Sequence, residues 1–140
     1  MIVIHTSVIV AYMNGTDANH RAARDWIDAV PDDLVTTPLI LAEVDHLLIT
    51  RGGRPAAQAF RRDLADGGYL VDWWPGAIAT TITVAGQYAD LELGLADASL
   101  VALADRHNTA DIATFDHRHF RAVRPLHRAG AFRLLPSDAA

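Results

Sequence analysis

Four residues scattered along this chain carry side chains suited to holding a cation: His5, Glu43, Asp97 and Asp116. Carboxylate oxygens are the ligands that Mg²⁺ and Mn²⁺ take, and an imidazole adds a nitrogen that suits Mn²⁺ or Zn²⁺ better than Mg²⁺. A cation held this way activates water and polarises the group it attacks, so the chemistry in view is metal-assisted hydrolysis. Each residue also has a plainer use. His5 alone reads as a hydrogen-bonded core histidine, Asp97 as a helix cap or dipole partner, and Asp116 as a turn residue. Glu43 is the least easily dismissed, because Leu41, Val44, Leu47 and Leu48 flank it. A carboxylate beside an apolar face is costly to bury unless something cationic pairs with it. The set, converging from separate elements, carries the signal.

The elements that must position these residues follow from apolar periodicity and punctuation. Ile2 to His5 reads as a strand, capped by Thr6 or Ser7 into a helix that ends near Asn14-Gly15. A second helix spans roughly Ala18 to Val30, and Leu34 to Thr37 is a short strand. Pro38 suits the first turn of a helix that runs to Gly52-Gly53. Pro55 opens another, ending at Gly67-Gly68. Tyr69 to Trp73 is a strand, Pro75 starts a helix reaching about Tyr88, and Leu95 to His107 is a helix with Leu100, Val101, Leu103 and Ala104 facing the core. Asp111 to Phe115 and Phe132 to Leu135 are strands. This alternation predicts an α/β fold, a mostly parallel central sheet with helices on both faces, as one domain over residues 1–140. His5 and Asp116 then fall at strand ends, where open α/β sheets bind ligands.

Composition narrows the classes. The chain has 140 residues, 51% apolar and 21% charged, and it contains no cysteine, so disulfides and thiolate chemistry are excluded. No apolar run reaches the length of a membrane span and no signal peptide opens the chain, which predicts a cytoplasmic protein. The net charge of −5 argues against nucleic-acid binding by bulk attraction. All twelve basic residues are nevertheless Arg, and Arg118, Arg121, Arg124 and Arg128 crowd one region with His117, His119 and His127. No Walker-type or Gly-x-Gly-x-x-Gly loop follows a strand, and without lysine a phosphoacceptor regulator is set aside.

With IVIHTSVIVAY, TTPLILAEVDHLL, LGLADASLVALADRHNTADIATFDHRHF and a tail ending RLLP, the whole chain resembles the PIN-domain ribonucleases, and among them the VapC-type toxins of toxin–antitoxin pairs. Thr6, Ser7, Glu43, Asp97 and Asp116 match that family's motifs. His5 departs from them, standing where the family has its first Asp.

The resemblance implies a PIN-like fold and an endoribonuclease using Mg²⁺ or Mn²⁺ and leaving 5′-phosphate and 3′-hydroxyl ends. Glu43, Asp97, Asp116 and His5 would hold the metal, Thr6 or Ser7 would support position 5, and Arg118, Arg121 or Arg124 would hold the RNA backbone. It further implies a VapB-like antitoxin that inserts an Arg among the carboxylates, and a homodimer. Loss of a carboxylate at position 5 predicts an impaired or inactive nuclease. The competing reading is a catalytically silent PIN-like domain that binds antitoxin or RNA. A zinc site joining His5 to His117 or His119 is the less favoured option, and His46 reads as packing or surface.

Overall fold

The computed structural model describes residues 1–139. Five strands, β1 (Ile2–Ile4), β2 (Leu34–Thr36), β3 (Leu70–Val71), β4 (Asp111–Ala113) and β5 (Arg133–Leu135), form one sheet in the order β3-β2-β1-β4-β5. Every neighbouring pair is parallel, with Val3 opposite both Val35 and Ile112. The α/β expectation of a mostly parallel sheet is therefore met by a wholly parallel one. A strand buried on both faces reads as an unbroken apolar run, and Ile2, Val3 and Ile4 are all at most 2% exposed.

Seven helices connect the strands: α1 (Thr6–Met13), α2 (His20–Ala29), α3 (Pro38–Leu47), α4 (Arg54–Ala65), α5 (Ala77–Gln87), α6 (Leu95–Arg106) and α7 (His117–Ala122). The chain steps from β1 outward to β2 and β3, then returns across β1 to β4 and β5. On one side of this reversal α1 packs against α2, α3 and α4, and on the other α5 packs against α6. The reversal falls between β1 and β4, which makes their carboxyl ends the switch point of the sheet.

The core is built mainly by β1, β4, α1 and α6. From Ala98 to Ala104 every residue of α6 is buried, including the expected Leu100, Val101, Leu103 and Ala104. Burying each of the larger of these side chains stabilises the fold by about 1.5–3 kcal/mol. At the far end of the chain Asp138 accepts hydrogen bonds from the Leu134 amide at 2.8 Å and from both terminal nitrogens of Arg121 at 2.7 and 2.6 Å. That clamp ties α7 to the edge strand β5.

The strands are shorter than their apolar runs suggest. β1 stops at Ile4, and His5 is the N-cap of α1 rather than a strand residue. β3 keeps only Leu70 and Val71, both exposed, because it forms the sheet edge. β4 stops at Ala113, so Asp116 lies beyond the strand end and caps α7, a helix the sequence reading did not anticipate. The Pro38 helix changes at Leu48 into a π-helical turn, Leu48–Gly52, before the Gly53 stop.

Candidate metal centre

His5 leaves β1 at the switch point and is buried, with its side chain 8% exposed. Its Nε2 lies 2.9 Å from Asp97 Oδ1, in the first turn of α6. On the other side of the ring, Nδ1 accepts from the Ser7 amide at 3.3 Å, so the imidazole performs the capping that helix N-termini require. The hydroxyls of Ser7 and Thr114 lie 2.9 and 3.0 Å from the same nitrogen. Those two hydroxyls also accept from the amides of Phe115 and Asp116, at 2.9 Å each, which joins the end of β4 to the start of α1. Phe120 closes the ring's other flank, edge-on at 5.0 Å between centroids.

Glu43 arrives from α3. Thr37 caps that helix by accepting from the Ile40 amide, and its hydroxyl lies 2.8 Å from that of Ser99 on α6. This buried pair fixes α3 against α6. Thr6, itself buried, donates to Glu43 Oε1 at 2.5 Å and so turns the carboxylate toward β1. Ligating atoms of His5, Glu43 and Asp97 lie within 4.8 Å of one another.

Asp116 and His119 complete the cluster from α7. The His119 amide donates to Asp116 Oδ1 at 3.2 Å, and its ring Nδ1 lies 2.8 Å from Asp116 Oδ2 and 3.7 Å from Asp97 Oδ2. Asp97, Asp116 and His119 form a second triad within 4.8 Å, and Asp97 belongs to both. Burial works to raise the Asp116 carboxyl, but donation by the ring and amide of His119 outweighs it and holds the group below its ordinary value. Asp116 is thus an anion in the folded protein at neutral pH.

The structure brings His5, Glu43, Asp97 and Asp116 to one end of one sheet, with Thr6 and Ser7 beside them. Among the described residues no arginine pairs with any of the three carboxylates; imidazoles meet Asp97 and Asp116, and Glu43 accepts from the Thr6 hydroxyl. Three carboxylates without a permanent positive partner, arranged as two overlapping triads, form a donor set suited to a divalent cation. Arg121 is committed to Asp138, whereas the exposed side chains of Arg118 and Arg124 have no polar partner among the described residues. His117 turns away to Ser137 at 3.0 Å. Sequence reasoning left Thr114 out of the cluster and gave His119 only a less favoured place, in a zinc site with His5. His119 stands three positions after Asp116, a spacing that meets on one helix face once α7 is recognised.

A family model described as the PIN domain matches residues 2–125. The chain is 38% identical over 136 residues to Ribonuclease VapC26 of Mycobacterium tuberculosis, which spans 96% of this chain and 100% of that protein. The crystal structure of Mycobacterium tuberculosis VapC20, described as a sarcin–ricin loop cleaving toxin, superposes with a TM-score of 0.78 at 23% identity. That match covers 84% of this chain and 91% of the other. FitAcB from Neisseria gonorrhoeae matches with a TM-score of 0.57 at 20% identity, over 84% of this chain and 88% of that one.

Proposed function

The chain belongs to the PIN-domain family, and from that premise we propose that it is a VapC-type endoribonuclease toxin whose catalysis His5 impairs. The reading is supported by the 38%-identical ribonuclease relative and by the convergence of Glu43, Asp97 and Asp116 at the switch point of the sheet. The observation that carries the impairment is the 2.9 Å contact between His5 Nε2 and Asp97 Oδ1. A carboxylate at position 5 would offer oxygen lone pairs there, and the imidazole uses that contact to occupy Asp97 instead.

Glu43, Asp97 and Asp116 are the carboxylates that would hold Mg²⁺ or Mn²⁺, with position 5 as the fourth corner. When bound, such an ion supplies an activated water and a sink for charge on the phosphoryl oxygens. The chain's own residues do the rest. Thr6 fixes the Glu43 carboxylate, which orients the attacking water, and Ser7 with Thr114 fixes the residue at position 5. Arg118 and Arg124 have side chains free to receive RNA phosphates; Arg121 is held by Asp138 and would have to leave it.

The partner that fits an acidic centre is a VapB-like antitoxin presenting an Arg to the carboxylates. The proposal includes a homodimer acting in the cytoplasm; among the described residues no helix is long and apolar enough to cross a membrane. Light scattering of the purified chain, alone and with the antitoxin, measures both assemblies.

The test of activity is cleavage of total cellular RNA with Mg²⁺ or Mn²⁺ by this chain beside its His5→Asp variant. Discrete, EDTA-sensitive cleavage by the variant alone is the expected result. Cleavage by both would make His5 a tolerated residue. Silence from both, each folded and metal-loaded, would remove the nuclease reading.

A further inference from the structure

The two imidazoles of the centre differ in what holds their second ring nitrogen, and this decides which can give a lone pair to a cation. His5 Nδ1 faces the Ser7 amide at 3.3 Å. An amide only donates, so Nδ1 is the accepting nitrogen. The neighbouring hydroxyls agree: Ser7 Oγ already accepts from the Phe115 amide and Thr114 Oγ1 from the Asp116 amide, leaving each its own hydrogen to donate. The ring hydrogen of His5 therefore sits on Nε2, where it is donated to Asp97 Oδ1 at 2.9 Å. Ligation through Nε2 would move that hydrogen to Nδ1, directly against the Ser7 amide.

His119 carries no such constraint. A carboxylate only accepts, so its Nδ1–H donates to Asp116 Oδ2 at 2.8 Å, with Asp97 Oδ2 at 3.7 Å beyond. Its Nε2 has no protein partner among the described residues, and the side chain is 26% exposed. Moving the hydrogen to Nε2 gives up the donation to Asp116 but sets it against no donor, and it turns the Nδ1 lone pair toward two carboxylates that a cation would bridge to it.

Resting on the metal-dependent reading above, we propose that His119, with Asp97 and Asp116, is the imidazole ligand of this centre, and that His5 is a positioning residue that donates to Asp97 instead of ligating. A nitrogen among two carboxylates selects Mn²⁺, Co²⁺ or Zn²⁺ over Mg²⁺. His5 also keeps one half of the work of a carboxylate at its position: it accepts from the Ser7 amide as an oxygen would. It inverts the other half, from acceptor to donor.

Ring ¹⁵N–¹H correlations of ¹⁵N-histidine-labelled protein, recorded with and without Zn²⁺, read the hydrogen's place at each imidazole without any turnover. The expected result is His5 with its hydrogen on Nε2 in both states, and a large Zn²⁺-dependent displacement of His119 Nδ1. By calorimetry, His119→Asn should weaken Zn²⁺ at the centre by at least about tenfold. Loss of the Nε2 hydrogen of His5 on adding Zn²⁺, no displacement at His119, or unchanged affinity in His119→Asn would each overturn the assignment. Failure of the ribonuclease reading is separate, since it shows as silence of His5→Asp toward RNA whatever the ring nitrogens report.

Discussion

The hydroxyl of Thr6 donates to the Glu43 carboxylate at 2.5 Å, from a side chain buried at the first position of α1 to one that stands in mid-helix on α3. A hydrogen bond to a charged group is worth about 1.5–3 kcal/mol, and half-exposed Glu43 recovers part of that from water when it is lost. Thr6→Val should therefore lower unfolding free energy by about 1–2 kcal/mol, seen as a smaller urea midpoint with an unchanged slope. In a His5→Asp background it should also slow RNA cleavage.

His5→Asp exchanges a donor beside Asp97 for a second carboxylate. Two like charges about 4 Å apart repel by about 1 kcal/mol in water and up to about 4 kcal/mol near a protein surface. In EDTA the variant should thus melt below the parent chain. Mn²⁺ should reverse the order, since a ligand at one hundred times its dissociation constant adds about 2.7 kcal/mol to the folded state. Thermal scans in both conditions check this. A variant that melts above the parent in EDTA would contradict the donor role of His5.

Phe120 is fully buried and meets the His5 ring edge-on at 5.0 Å. Phe120→Leu loses the aromatic contact, worth about 0.5–1.5 kcal/mol beyond area, and some packing volume. A total loss of about 1–2 kcal/mol in urea unfolding is expected. The histidine ring correlations should show His5 broadened, because one wall of its slot is gone.

Acid should destabilise the chain through Asp138 and Asp72. Donation by Arg121 and by the Leu134 amide holds the Asp138 carboxyl well below its ordinary value. At Asp72 burial pushes upward, but donation by Arg106 and His107 outweighs it and the group is lowered. A carboxyl depressed in the folded state takes up its proton more readily when unfolded. Its contribution is therefore complete above the ordinary value near ~4 and is lost as pH falls toward the folded value. The melting temperature should drop from about pH 4 downward. Asp138→Asn should melt lower at pH 7 and fall less steeply.

Much of this arrangement was legible in the residues. Glu43 among leucines, Asp97 opening an apolar helix, and His5 closing an apolar strand all announced themselves by context. The punctuation of Asn14-Gly15, Pro38 and Gly52-Gly53 marked the elements that carry them. What escaped was α7: HRHFRA is short and polar, buries only Phe120, and shows no apolar period. With α7 unseen, Asp116 read as the end of a strand and His119 had no face to share with it. The direction of the His5 hydrogen bonds was equally hidden, because it depends on the Ser7 and Asp116 amides, whose orientation only the folded backbone fixes.

The central strand of the sheet is also the first to be synthesised. β1 lies between β2 and β4, and His5 meets Asp97 across 92 positions and Thr114 across 109. At about 5–20 residues per second, roughly 6–22 s separate the making of position 5 from that of position 116. Through that interval the nascent chain holds at most His5, Glu43 and Asp97, and it lacks Asp116 and His119 of the second triad. The central strand is therefore in place long before the last side chains of its cluster, and the cluster closes only when α7 has been made.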